Sequence, residues 1–205
     1  MSSASDVIAV TITADIIAAD DNGISTDAAV GNNAALTIAG ALADSGSVTL
    51  SNARKVTITS AGDDSGISFT IVGTDINGTA QTESLSGVDT GVATSSKLFL
   101  TIASITAVGD PAANVKAGIS ADSSSIVYSG RSRLKGVFLT STATAGTVDF
   151  LNTSTAGTSL MKISSVASAT ATRDVVIPEN GLLFTDGIYI QYTVSTFLTL
   201  TVFHA

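Results

Sequence analysis

The chain has no cysteine and no tryptophan, two prolines, one histidine, and only 13% charged residues. Without cysteine there is no disulfide framework and no thiolate metal site, so stability must come from packing, hydrogen-bonded ladders and oligomerisation. The charged share is about half the usual ~25%, and the surface helix formers Glu, Lys and Gln are scarce. The one histidine, His204, is next to last. A catalytic triad or a histidine-containing metal site is thereby nearly excluded, and the position predicts a solvated ring. The start carries no basic region of a signal peptide, and Asp6 interrupts the segment where its apolar region would lie. The longest stretch without a full charge, residues 187–205, holds Gln191, Thr193, Ser195, Thr199 and Thr201 at alternating positions. It reads as a pair of strands and not a membrane span. A soluble protein, not exported by the secretory route, is expected.

Ser, Thr, Ala and Gly fill the place of the missing charge, and apolar residues make up 44%. Val, Ile, Leu and Phe recur in short bursts separated by Gly, Asp and Asn, which is the pattern of many short strands and turns. The net charge of −8 is uneven: residues 1–125 hold 13 acids and 4 bases, residues 126–205 hold 4 acids and 5 bases. Such a chain is a poor ligand for nucleic-acid phosphates. The contrast between halves suggests that they face different surroundings.

Residues 1–23 read as an N-terminal arm. Its segment 7–17 is apolar and β-branched enough for a strand, with Val7, Ile8, Val10 and Ile12 as candidate inter-subunit contacts, and Asp20, Asp21 and Asn22 end it. The arm could fold back, pair with a neighbouring subunit's sheet edge, or be an ordinary first strand of its own domain. From residue 34 to about 119, strands are expected at 36–38, 47–50, 55–60, 67–72, 80–85 and 98–105. In 67–72, Ile67, Phe69 and Ile71 share one face while Ser68 and Thr70 take the other. Asn77-Gly78 predicts a hairpin with two consecutive positive φ values. Residues 98–105 are apolar on both faces, as in a central strand. After a linker at 120–125, seven further strands are expected at 126–128, 134–140, 147–151, 160–164, 173–178, 188–194 and 198–203. Their spacing suggests a small sandwich or jelly-roll. The expected fold class is all-β: two tandem β-sandwich or jelly-roll-like domains, 24–122 and 123–205, preceded by the arm at 1–23.

Several stretches resemble modules of tailed-bacteriophage virion proteins. In the first unit these are NAALTIAGAL (33–42), ARKVTITSAGDDSG (53–66), FTIVGTDING (69–78), ESLSG (83–87) and FLTIASI (99–105). In the second they are LKGVFL (134–139), TAGTV (144–148) and IPENGLLF (177–184). The resemblance implies a virion structural protein, of the kind found in head decoration and in tail-associated components. It implies no catalytic residue.

The chemistry-bearing residues point the same way. Asp63-Asp64-Ser65-Gly66 and Asp75-Ile76-Asn77-Gly78 could offer oxygens to Ca²⁺, but they lack the spacing and closing Glu of an EF-hand. Tight β-turns require the same residues. Glu83 and Glu179, the only glutamates, form no evident carboxylate pair. The glycine-containing loops at 62–66 and 87–91 lack the Lys-Ser/Thr of a phosphate-binding loop. Arg131, Arg133 and Lys135, at alternate positions, would share one strand face. They could protect an edge strand or form a docking stripe for an acidic partner. The expectation is therefore a non-enzyme without cofactor or metal: a capsid decoration or cement protein, located in the virion and assembled in the host cytoplasm. Its partners would be itself, as a homo-oligomer such as a trimer, and the major capsid or another virion protein, with no nucleic acid and no membrane. The alternatives are a tail, collar or fibre component and, in another class, a carbohydrate-binding adhesion module.

Overall fold

The computed structural model describes residues 6–13, 19–120, 124–166, 170–193 and 197–205. Among them lie eighteen strands and no helix, so the chain is all-β. It divides into two compact units: residues 17–122, and residues 1–16 together with 123–205. The first is inserted in the sequence of the second.

The inserted unit contains β2 (Asp20–Ala28), β3 (Ala43–Asp44), β4 (Ser47–Arg54), β5 (Val56–Asp63), β6 (Ser68–Thr74), β7 (Ala80–Ser86), β8 (Asp89–Thr94), β9 (Phe99–Val108) and β10 (Val115–Ile119). Two sheets form, in the orders β2-β10-β5-β8 and β3-β4-β9-β6-β7. The antiparallel pairs are nested by chain order: β2 with β10, β4 with β9, β5 with β8 and β6 with β7. A long hairpin rolled into two facing four-stranded sheets gives this pairing, which is the jelly-roll arrangement; β3 widens one sheet. Ile24, Val48, Ile58, Phe69, Ile71, Phe99, Ile102 and Ile105 fill the core between them.

The host unit contains β1 (Ile8–Thr13), β11 (Ser124–Ser129), β12 (Ser132–Ser141), β13 (Gly146–Asn152), β14 (Thr158–Ser165), β15 (Ala171–Val176), β16 (Leu182–Phe184), β17 (Gly187–Tyr192) and β18 (Phe197–His204). Its sheets run β1-β18-β12-β15, with β16 also on β12, and β11-β17-β13-β14. The nesting is the same: β1 with β18, β11 with β17, β12 with β15 and β16, β13 with β14. Leu134, Val137, Leu139, Phe150, Phe184, Ile190 and Leu200 centre its core. Both units therefore share one topology.

The all-β expectation holds; of the readings open for the arm, the first-strand one fits, and the units are 17–122 and 1–16 with 123–205 in place of 24–122 and 123–205. Ile8–Thr13 is the first strand of the host jelly-roll, paired residue for residue with Thr199–His204. Of the four apolar arm residues, Ile12 is 3% exposed and Val10 packs against the core, while Ile8 and Val7 are exposed. Residues 20–23, read from sequence as the end of the arm, instead begin β2, the opening strand of the inserted unit. Its acidic, glycine-containing sequence has low β-propensity. It pairs with β10 through two register shifts, and a side chain at Gly118 would collide with the Asp20 carbonyl 1.8 Å away.

Three local expectations also change. The hairpin between β6 and β7 has positive φ at Gly78 but not at Asn77; Asp75 organises it by accepting from the Asn77 and Thr79 amides, both at 2.9 Å. The turn with two consecutive positive φ values is Ser45-Gly46, between β3 and β4. Residues 36–38 contribute Leu36 and Ile38 to the core without forming a strand. Residues 1–5 and 14–18 of the expected arm, 121–123 of the expected linker, and Val194 and Ser195 lie outside the described residues.

Candidate interaction surfaces

Strand register sets the outer face of the host sheet β1-β18-β12-β15. Cross-strand partners form three rungs: Ala9, Phe203, Gly136, Val176; then Thr11, Thr201, Phe138, Asp174; then Thr13, Thr199, Thr140, Thr172. Directly opposed residues share a face, and the inward phase is filled by Ile12, Leu200, Leu139 and Val175. Across these three rungs the outer face is thus a threonine lattice with one charge, Asp174; Arg133 and Lys135 lie beyond them on β12. Phe138 and Val176 stand out from it, 40% and 77% exposed. The Thr11 and Thr201 hydroxyls are 3.0 Å apart, so they hold each other's rotamers.

The basic row is only partly a row. Arg131 is exposed in the bend before β12, while Arg133 and Lys135 lie on the strand. Lys135 Nζ donates to the Asn180 carbonyl at 3.0 Å. Arg133 Nη1 reaches the Asn180 and Gly181 carbonyls at the longer distances of 3.5 and 3.4 Å. Two of the three cations thus hold the turn after β15, where Glu179 and Gly181 adopt positive φ. The edge-protection reading is corrected: β12 has β18 on one side and β15 with β16 on the other. A register shift between Leu134 and Gly136 lets the core side of the strand change phase from Leu134 to Val137 and Leu139.

The acidic loops are organised as turns. Asp63 Oδ1 accepts from the Ser65 amide and hydroxyl, and these bonds hold its carboxyl below the usual carboxylate range. Buried Asp64 accepts from the Ala112 amide at 2.8 Å, tying this corner to the segment before β10. Among the described residues no group of three or more His, Asp or Glu could hold a metal. Glu83 accepts from the Ser96 amide, the Ser96 hydroxyl and the Lys97 amide at 2.7–3.0 Å, fixing the β8–β9 connection.

His204 departs from expectation. It is 3% exposed, its ring centroid lies 5.0 Å from that of Tyr128, and its Nδ1 is 3.0 Å from the Ser132 hydroxyl. Burial pushes its pKa below the usual histidine value. Position near the chain end is a misleading signal here, because β18 runs to His204 in the centre of a sheet.

Two surface depressions lie on either side of β14. The larger, about 530 Å³, opens between β14 and β15 and includes Lys162, Arg173 and Val175. The smaller, about 210 Å³, lies over Asp149, Lys162 and Gln191, where Lys162 Nζ meets Asp149 Oδ2 at 2.9 Å. Sequence reasoning passes over Arg173, although it stands in phase with Val175 and Ile177 on an expected strand.

Comparison with family models, with curated proteins and with solved structures finds no match for this chain.

Proposed function

We propose that this chain is a structural subunit of a tailed-phage virion, acting as a head decoration or cement protein. The observation that carries the reading is the outer face of the host sheet. Three rungs of Thr, Ala, Val and Phe with a single carboxylate form a surface that loses little on desolvation and gains from close stacking. Mostly neutral sheet faces suit repeated protein layers better than a dilute soluble monomer, which usually carries more charge. Jelly-rolls are recurrent shell-forming units, and the resemblance of both units' sequences to virion modules supports the same reading. The work of such a subunit is mechanical: many copies bury weakly polar faces against one another and against the shell.

The test is immunogold electron microscopy of native particles with antibody to this chain, combined with reconstitution by the Thr140→Lys and Val176→Asp variants. Label over the head, with head occupancy lowered at least ~10-fold by either substitution, is the expected result. Label on the tail would move the subunit to the tail, collar or fibre role. Absence from particles would remove the virion reading.

A further inference from the structure

The cleft between β14 and β15 contains a cation, Arg173, with no ion-pair partner among the described residues. β14 and β15 are the edge strands of the two host sheets on this side, and Met161, Ile163 and Val175 supply apolar lining. Arg173 lies opposite fully buried Leu139, so its side chain leaves the strand on the core-facing phase. Asp174, the next residue, lies opposite Phe138 on the outer phase, and adjacent strand residues point to opposite faces. Lys162, the other cation of the cleft, is paired with Asp149. Among the described residues Arg173 has no ion pair, and its Nε is buried with no protein acceptor in reach. A guanidinium N–H withdrawn from water without an acceptor is costly.

We infer that this cleft binds a carboxylate carried on a short apolar stem. The guanidinium fork matches the two carboxylate oxygens, and the stem lies against Met161, Ile163 and Val175. One uncommitted cation suits a single negative charge better than a phosphate dianion. The inference is independent of the virion reading.

Calorimetric titration of the full chain with acetate, butyrate and hexanoate tests it, with hexanol and hexylamine as controls. Hexanoate should saturate at millimolar concentration, with affinity rising about fourfold per added methylene. Hexanol and hexylamine should each bind at least ~10-fold more weakly. Arg173→Gln should lose hexanoate binding by ~10-fold or more while keeping the parent circular dichroism spectrum; Arg173→Lys should keep part of it. Equal binding of hexanoate and hexanol, or undiminished binding by Arg173→Gln, would overturn the site. So would absence of saturation, in which case Arg173 is an inward charge that guards an open sheet edge.

Discussion

At the scale of single residues, His204 is where chemistry and folding meet. Its neutral ring is enclosed beside Tyr128 and Ser132, and burial lowers its folded-state pKa below the unfolded value. The unfolded chain then takes up the proton first. Stability is therefore fully present above about pH 6.5 and falls as pH drops through that value toward the folded-state pKa. Urea unfolding followed between pH 7.5 and pH 5 should show a midpoint that declines on acidification. His204→Gln should flatten that decline. Asp63 acts in a separate, more acidic window: its carboxyl is also held low, so its contribution is present above the ordinary carboxylate value and is lost below it.

At the scale of elements, much was legible. All seven strands expected after residue 125 are present as β11 to β15, β17 and β18, because Val, Ile, Leu and Phe alternate there against Thr and Ser. The expected central strand at 98–105 is β9, third of five in its sheet. Its two-sided apolar sequence has a local cause. A register shift opposite Val72 and Gly73 leaves Ala103 unmatched, so Ile102 and Ile105 both reach the core. Elements without a propensity signal stayed hidden: β2 is built from Asp-Asp-Asn-Gly, and β16 has three residues. Pairing partners were equally invisible, since nothing local in Ile8–Thr13 names β18. The Arg173 cleft needed both edge strands placed before it could be seen. Two substitutions in β1 separate a structural strand from a loose arm. If β1 is a structural strand, Ile12→Ala should destabilise the protein by about 2–5 kcal/mol, as for a buried aliphatic side chain. Ile8→Ala, at a half-exposed position, should cost under ~1 kcal/mol. Equilibrium denaturation of the two variants gives the comparison.

At the scale of the whole molecule, the charge contrast between halves sharpens when the true units replace the expected ones. Residues 17–122 hold eleven acids and four bases, whereas the host holds six acids and five bases. The acidic excess therefore belongs almost wholly to the inserted jelly-roll. That unit owns its core, and its first and last strands, β2 and β10, are hydrogen-bonded neighbours, so its ends are already closed together. Expressed alone, residues 17–122 should unfold in one sigmoidal transition. Residues 123–205 alone lack β1 and should be destabilised or aggregate through the bared edge of β18. Size-exclusion chromatography with thermal denaturation distinguishes these outcomes.

Nesting also fixes an order of events during synthesis. Thr11 must wait for Thr201, 190 residues later, which at ribosomal speed is roughly 10–40 s. In that interval the inserted unit can complete its fold, while the uncharged segment Ile8–Thr13 remains without its partner. The nascent chain thus carries a temporarily bare strand, and holdase chaperones should crosslink to it until β18 has emerged and paired.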